Sequence, residues 1–159
     1  MSGRLFSGLD CSSKTIHLVV LDDKSNIWFR QKWLSSSGSM EERFCSLSRQ
    51  FSDFLDVQIE LCKNTVAAIE NAVYVQNVKA TIGINNVIAG SKLALHNHDV
   101  SYFPIDNRSW KKDVLGNGRA SKEDIMQFAI AKWGEVNFPE QDYADAACIA
   151  SWLWRRMSN

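Results

Sequence analysis

Four acids in this sequence, Asp10, Glu70, Asp142 and Asp145, have the type and spacing to do chemistry together. Asp10 ends the apolar stretch Leu5-Phe6-Ser7-Gly8-Leu9 and is followed by Cys11-Ser12-Ser13, while Glu70 ends a second apolar run, Thr65-Val66-Ala67-Ala68-Ile69. Asp142 and Asp145 are three apart, which puts both on one face of a helix. A carboxylate at the end of a buried strand costs several kcal/mol, in order of magnitude about the strength of a few hydrogen bonds, unless a cation or a proton neutralises it. Four of them in one small space would need cations, and an all-oxygen donor set suits Mg²⁺ or Mn²⁺ rather than zinc. Two such ions about 4 Å apart activate water and stabilise a leaving oxygen in phosphodiester hydrolysis. Taken singly, each acid has a plainer reading: Asp10 as a turn residue, Asp142 and Asp145 as acids that favour a helix dipole.

Whether the four meet depends on the elements that carry them. Leu5 to Ser13 holds a first strand, and Thr15 to Leu21 and Ile27 to Leu34 read as two more joined by short links, an antiparallel meander. In the third, Ile27, Phe29 and Trp33 alternate with Trp28, Arg30 and Lys32. Ser39 followed by Glu42 has the capping-box form, opening a helix over 40–57 whose apolar residues Phe44, Leu47, Phe51, Phe54 and Leu55 recur at helical spacing. Residues 65–70 then form a strand covered on both faces, reached by a crossover and so parallel to the first. A second helix over about 76–95 carries small residues at helical spacing, including Ala80, Gly83 and Gly90 beside Val87, which suit either tight packing on its own sheet or a subunit interface. Residues 99–105 read as an edge strand, compatible with Pro104. A loop-rich stretch follows, then a helix capped by Ser121 and Asp124 and stopped by Gly134, and a last helix over 142–157 packed through Ala146, Ile149, Ala150 and Leu153. The expected fold is α/β, a five-stranded mixed sheet in the order 3-2-1-4-5 with strand 2 antiparallel and about four flanking helices. Asp10 and Glu70 then lie at adjacent carboxyl ends where chain direction switches, the place at which ligands of open α/β sheets bind.

The 159 residues fit one domain, 1–159, and 45% hydrophobic with 23% charged residues is ordinary globular composition. No apolar run reaches the ~18 residues of a membrane span and no signal-peptide core follows the N-terminus, so the expectation is a cytoplasmic protein. Cys11, Cys45, Cys62 and Cys148 lack a paired motif, and reduced, mostly buried thiols are expected. His17, His96 and His98 are too few and too scattered to suggest a ligand set. Lys plus Arg equals Asp plus Glu at 18 each, so a polyanion would have to be met by a local patch. That patch is Arg108 to Lys122, where Arg108, Lys111, Lys112, Arg119 and Lys122 face one acid, Asp113.

In order, Gly8-Leu9-Asp10, Ala68-Ile69-Glu70-Asn71, Trp110-Lys111-Lys112 through Gly116-Asn117-Gly118 to Ala120-Ser121-Lys122, and Asp142-Tyr143-Ala144-Asp145-Ala146 span nearly the whole chain. Together they resemble RuvC-type Holliday junction resolvases of the RNase H-like superfamily, with a phage or related element as a compatible source and the host cytoplasm as the location in that case. The resemblance implies a homodimer that grips four-way junction DNA and nicks two opposed strands symmetrically. It implies that Asp10, Glu70, Asp142 and Asp145 bind two Mg²⁺ ions per site, with Mn²⁺ as a substitute, and that Lys111 and Lys122 lie near the scissile phosphate. It makes Arg108, Lys112 and Arg119 phosphate contacts, and Ala80, Gly83, Val87 and Gly90 the dimer region. Bacterial members carry Pro-Gly after the first acid, where this chain has Cys11-Ser12. They also commonly carry an aromatic three residues after the second acid, where this chain has Val73 with Tyr74 beside it; Tyr74 is a candidate for stacking in the opened junction or for core packing.

Three rival readings remain at this level: an RNase H-like nuclease for other branched or hybrid substrates, a non-catalytic junction binder, and a small phosphotransfer module of the actin-like kinase type. The last needs two lobes and a second phosphate loop, which the sequence lacks, so no nucleotide cofactor is expected.

Overall fold

A computed structural model describes residues 3–72 and 76–158. Its strands are β1 (Leu5–Cys11), β2 (Thr15–Leu21), β3 (Ile27–Leu34), β4 (Thr65–Glu70) and β5 (Tyr102–Ile105). The helices are α1 (Met40–Val57), α2 (Ile59–Asn64), α3 (Val78–Asn97), α4 (Asn107–Leu115), α5 (Lys122–Trp133) and α6 (Gln141–Met157). The strands form one sheet in the order β3-β2-β1-β4-β5. β2 is antiparallel to both neighbours, whereas β4 is parallel to β1 and to β5.

The alternation of strand residues divides the core in two. Leu9, Ile16, Leu18 and Ile69 point toward α1 and α3, while Phe6, Val19, Val66 and Ala68 point toward α4, α5 and α6. Helix α1 begins at the expected capping box, with Ser39 Oγ accepting from the Glu42 amide and the Glu42 carboxylate accepting from the Ser39 amide. The β1–β2 link is a serine turn: Ser12 Oγ accepts from the amides of Lys14 and Thr15 at 3.2 and 3.0 Å. Ser12 thus closes this turn by side-chain hydrogen bonding, while the Cys11 thiol meets Ser91 of α3.

Several expectations are corrected by tertiary structure. The basic stretch is not a loop throughout, because residues 107–115 form α4, capped by the Asp106 side chain and ended by Gly116 in the left-handed region at φ 79°. Its buried residues are Trp110 and Val114, an i, i+4 pair too short to stand out among polar neighbours. With α2 also present, the described residues hold six α-helices where about four were expected. Ile27 leaves the face of Phe29 and Trp33, because a bulge opposite Val20 and Leu21 shifts the register and turns it toward the α6 side. Among the cysteines, all free, only Cys148 is buried and Cys45 is exposed.

The small residues of α3 serve the chain's own packing. A methyl on Gly90 would strike Ser48 and Phe44 of α1, and one on Gly83 would crowd Ser13. Val87 is 1% exposed and Ala80 half-buried, so the stripe Ala80, Gly83, Val87 and Gly90 faces inward and is no free surface. The outward stripe is Val78, Ile82, Ala89 and Leu93.

Helix α6 lies against β1 and β2 at unusually short range. Ala144, Ala146, Ala147 and Ala150 are fully buried, and a methyl on Gly8 would overlap the Ala146 carbonyl oxygen and the Ala150 amide nitrogen. Backbone atoms cannot swing aside as a flexible side chain can. Replacing Gly8→Ala is therefore expected to push α6 off the sheet and cost on the order of 3 kcal/mol in denaturant melts, the upper range of core overpacking. An unchanged midpoint would show that α6 is not held as described.

Candidate active site

The sheet delivers two of the acids and α6 delivers the others. β1 and β4 run parallel with Leu9 opposite Ile69, so the next residues, Asp10 and Glu70, emerge side by side at the carboxyl edge. The first turn of α6 crosses above that edge because Gly8 admits the helix backbone, bringing Asp142 and Asp145 over Asp10. Asp10, Asp142 and Asp145 each present a carboxylate oxygen within 4.8 Å of the others.

Glu70 completes the cluster from a fixed position. The Asn107 amide donates to its two oxygens at 3.3 and 3.2 Å, and the Trp110 indole N–H donates to Oε2. Trp110 is wholly buried, so α4 both packs beneath the site and holds one of its acids. Neither Asn107 nor Trp110 is a residue that sequence reasoning assigned to this task. Their signal was the placement of an indole and an amide just after the strand that pairs with β4.

Burial dominates the electrostatics. The Asp10 carboxyl is pushed well above the usual range, first by burial and then by the charges of Asp145, Glu70 and Asp142. Asp145 is raised to about 6, mainly by burial, with Glu70 and Asp142 adding to it and a Gln141 hydrogen bond at 3.4 Å working against it. Glu70 is raised by burial, while Trp110, Asn107 and Lys111 pull it back. Lys111 is thus the basic residue felt by the acids, acting on both Glu70 and Asp145. Lys122 stands exposed in the first turn of α5 and makes no ion pair among the described residues. Arg108, Lys112 and Arg119 line an open hollow of about 390 Å³ beside the site-forming α4, together with Ser109, Asn117 and Gly118. Tyr74 and Val73 lie outside the described residues.

A histidine that belongs to no sequence motif also reaches this edge. His17 pairs with Asp10 across β1 and β2, so both side chains point to the same face. It is 0% exposed, with Nε2 3.0 Å from Glu140 Oε2 and its ring edge-on to Tyr143 at 4.8 Å. Only the cross-strand register could have revealed it.

The oxygen set fits a divalent cation: several carboxylates share one edge at a separation that raises their proton affinity, the condition under which a cation displaces protons. Without a cation the cluster should destabilise the fold at neutral pH. An acid whose folded pKa is raised stabilises the fold below its unfolded value, and that contribution is lost as pH rises through the folded value. For Asp145 the window runs from 3.8 to about 6. Metal-free protein is expected to lose on the order of 2 kcal/mol of stability between about pH 4.5 and 7, and Asp145→Asn to lose less. Thermal melts across that range check this, and a flat wild-type profile would contradict it.

The sequence matches the model of the family described as crossover junction endodeoxyribonuclease RuvC over residues 33–151, a stretch that includes Glu70, Asp142 and Asp145. Asp10 precedes that stretch and joins the other acids through the β1–β4 pairing. Proteins of that name from Dehalococcoides mccartyi and Caldanaerobacter subterraneus are 31% and 33% identical over 93 and 94 residues, each alignment covering 58% of this chain. The chain spans 56% of the length of both relatives. The fold is similar to Thermus thermophilus RuvC solved with a Holliday junction substrate, at TM-score 0.78 and 16% identity over 98% of this chain and 97% of that one. It is also similar to the yeast mitochondrial Holliday junction resolvase Ydc2, at TM-score 0.59 and 16% identity over 94% of this chain and 78% of that one. On the family match, the chain belongs to the RuvC family.

Proposed function

We propose that this chain is a structure-selective endonuclease that resolves four-way DNA junctions by paired, symmetric hydrolysis of phosphodiester bonds, with residues 1–159 acting as one nuclease domain. The observation that carries the reading is the convergence of Asp10, Asp142 and Asp145 within 4.8 Å at a sheet edge shared with Glu70. We assign the metal ions as Mg²⁺, with Mn²⁺ as a substitute, two per site and held by these four acids. When bound, the ions supply an activated water and charge stabilisation at the leaving oxygen. The chain's own residues hold the acids in place: Asn107 and Trp110 fix Glu70, and the α6 backbone seated on Gly8 fixes Asp142 and Asp145.

DNA contact is assigned to the basic residues of α4 and the α4–α5 link. Arg108, Lys112 and Arg119 around one hollow suit a phosphate of the backbone, contacts that orient a duplex without reading its sequence. Lys111, close enough to act on Glu70 and Asp145, suits charge developing at the scissile phosphate; Lys122 takes that role only if DNA draws it in. The soluble-phase setting proposed is the cytoplasm, and no helix among the described residues is long and apolar enough to cross a membrane.

Two symmetric cuts need two sites, and a homodimer with a two-fold axis matches a two-fold substrate. The face proposed for it is the outward stripe of α3, with Val78 63%, Ile82 49% and Leu93 59% exposed, not the buried glycine stripe.

Incubating a synthetic immobile four-way junction with Mg²⁺ tests the activity. Paired nicks in opposed strands are expected, while Asp10→Asn and Glu70→Gln should cut at least 100-fold more slowly and still bind the junction. Lys111→Ala should slow cutting more than it weakens binding. Binding without cutting in Mg²⁺ or Mn²⁺ would turn the reading toward an architectural role, and cutting of RNA–DNA hybrids alone would turn it toward another nuclease. For the dimer, Leu93→Asp is expected to sediment as a monomer and to lose paired nicking; a monomeric wild type would remove the dimer from the account.

A further inference from the structure

Behind Asp142 lies a chain of side chains that the hydrolytic reading does not use. Lys32 Nζ donates to both oxygens of Glu140 at 2.7 and 2.9 Å, and Glu140 Oε2 also meets His17 Nε2 at 3.0 Å. With both its oxygens accepting from the Lys32 ammonium, the Glu140 carboxylate offers the imidazole only an acceptor, so His17 Nε2 is the donor. In that tautomer Nδ1 is the ring nitrogen with the free lone pair.

That nitrogen is buried and has no hydrogen-bond partner among the described residues. It is aimed at Asp142, 3.8 Å from Oδ2, too long for a hydrogen bond. The gap is less than twice a metal–ligand bond of about 2.0–2.2 Å, so one ion can touch both atoms. A metal-bound histidine characteristically donates its other ring N–H to a carboxylate, which fixes tautomer and orientation. Glu140 fills that supporting role, held in turn by Lys32 through both its oxygens.

We propose that His17 Nδ1 is a ligand, together with Asp142, of one ion in the acid cluster, making that position a mixed nitrogen–oxygen site suited to a transition-metal ion such as Mn²⁺. The proposal rests on the reading of the acids as a metal centre. An imidazole donor favours transition metals over Mg²⁺, so the two ion positions differ in preference.

Pulsed electron paramagnetic resonance of Mn²⁺-loaded protein reads the nitrogen directly, without any turnover. Protein labelled with ¹⁵N-histidine is expected to show ¹⁵N coupling to the ion, retained in His96→Gln/His98→Gln and lost in His17→Gln. The double variant leaves His17 as the single histidine of three, so retention there assigns the ligand even if His17→Gln does not fold. Titration should also show His17→Gln binding Mn²⁺ at least 10-fold more weakly with Mg²⁺ affinity changed less than 2-fold. Mn²⁺ bound without histidine coupling, or coupling lost in the double variant, would overturn the proposal and leave the acid centre standing. No Mn²⁺ binding at all would overturn both.

Discussion

Carboxylates forced together at the end of a buried strand are the constraint on which the rest of this structure depends. Burial and mutual repulsion both oppose their ionisation, and Asp10 feels all three of its partners. Such a cluster would relax apart if its supports were soft. They are not: the parallel pairing of β1 with β4 fixes two acids, and a helix backbone seated directly on Gly8 fixes the other two. The architecture converts strand register and one missing methyl into a concentrated negative charge.

Around that charge the supports are unequal. Glu70 is tied by two donors from α4 and tempered by Lys111, whereas Asp10 has burial without a compensating donor of comparable effect. On the far side, Lys32 holds Glu140 and Glu140 holds His17, so a fully buried imidazole faces Asp142 with its free nitrogen. The centre thus has an all-oxygen side toward β4 and a side toward β2 where nitrogen is available. Both sides are scaffolded by residues distant in sequence, and the stability lost to repulsion is recovered when a cation binds the folded form.

Much of this was legible in the sequence. Asp10 and Glu70 end apolar runs whose lengths mark strands, the capping box at Ser39 and Glu42 opens α1, and the crossover makes the fourth strand parallel to the first. What escaped depended on tertiary contact. Trp110 and Val114 are too few to announce α4, yet burial of Trp110 and its bond to Glu70 make a helix of a stretch that reads as a basic loop. Small residues on α3 could have faced a partner or α1, and only the positions of Phe44 and Ser48 decide for α1. His17 carries no local motif, since its relation to Asp10 exists only once β1 and β2 pair in register.

If a cation replaces protons in a cluster too crowded to ionise alone, protons leave as metal binds, and their number can be measured. Titration calorimetry with Mg²⁺ and Mn²⁺ near pH 6, repeated in buffers of different ionisation enthalpy, gives that number. Net proton release is expected at pH 6, from Asp145 at about 6 and from Asp10, shrinking toward pH 8 as Asp145 ionises unaided. Metal binding with no proton release at pH 6 would mean that the acids are already ionised and apart, and would contradict it.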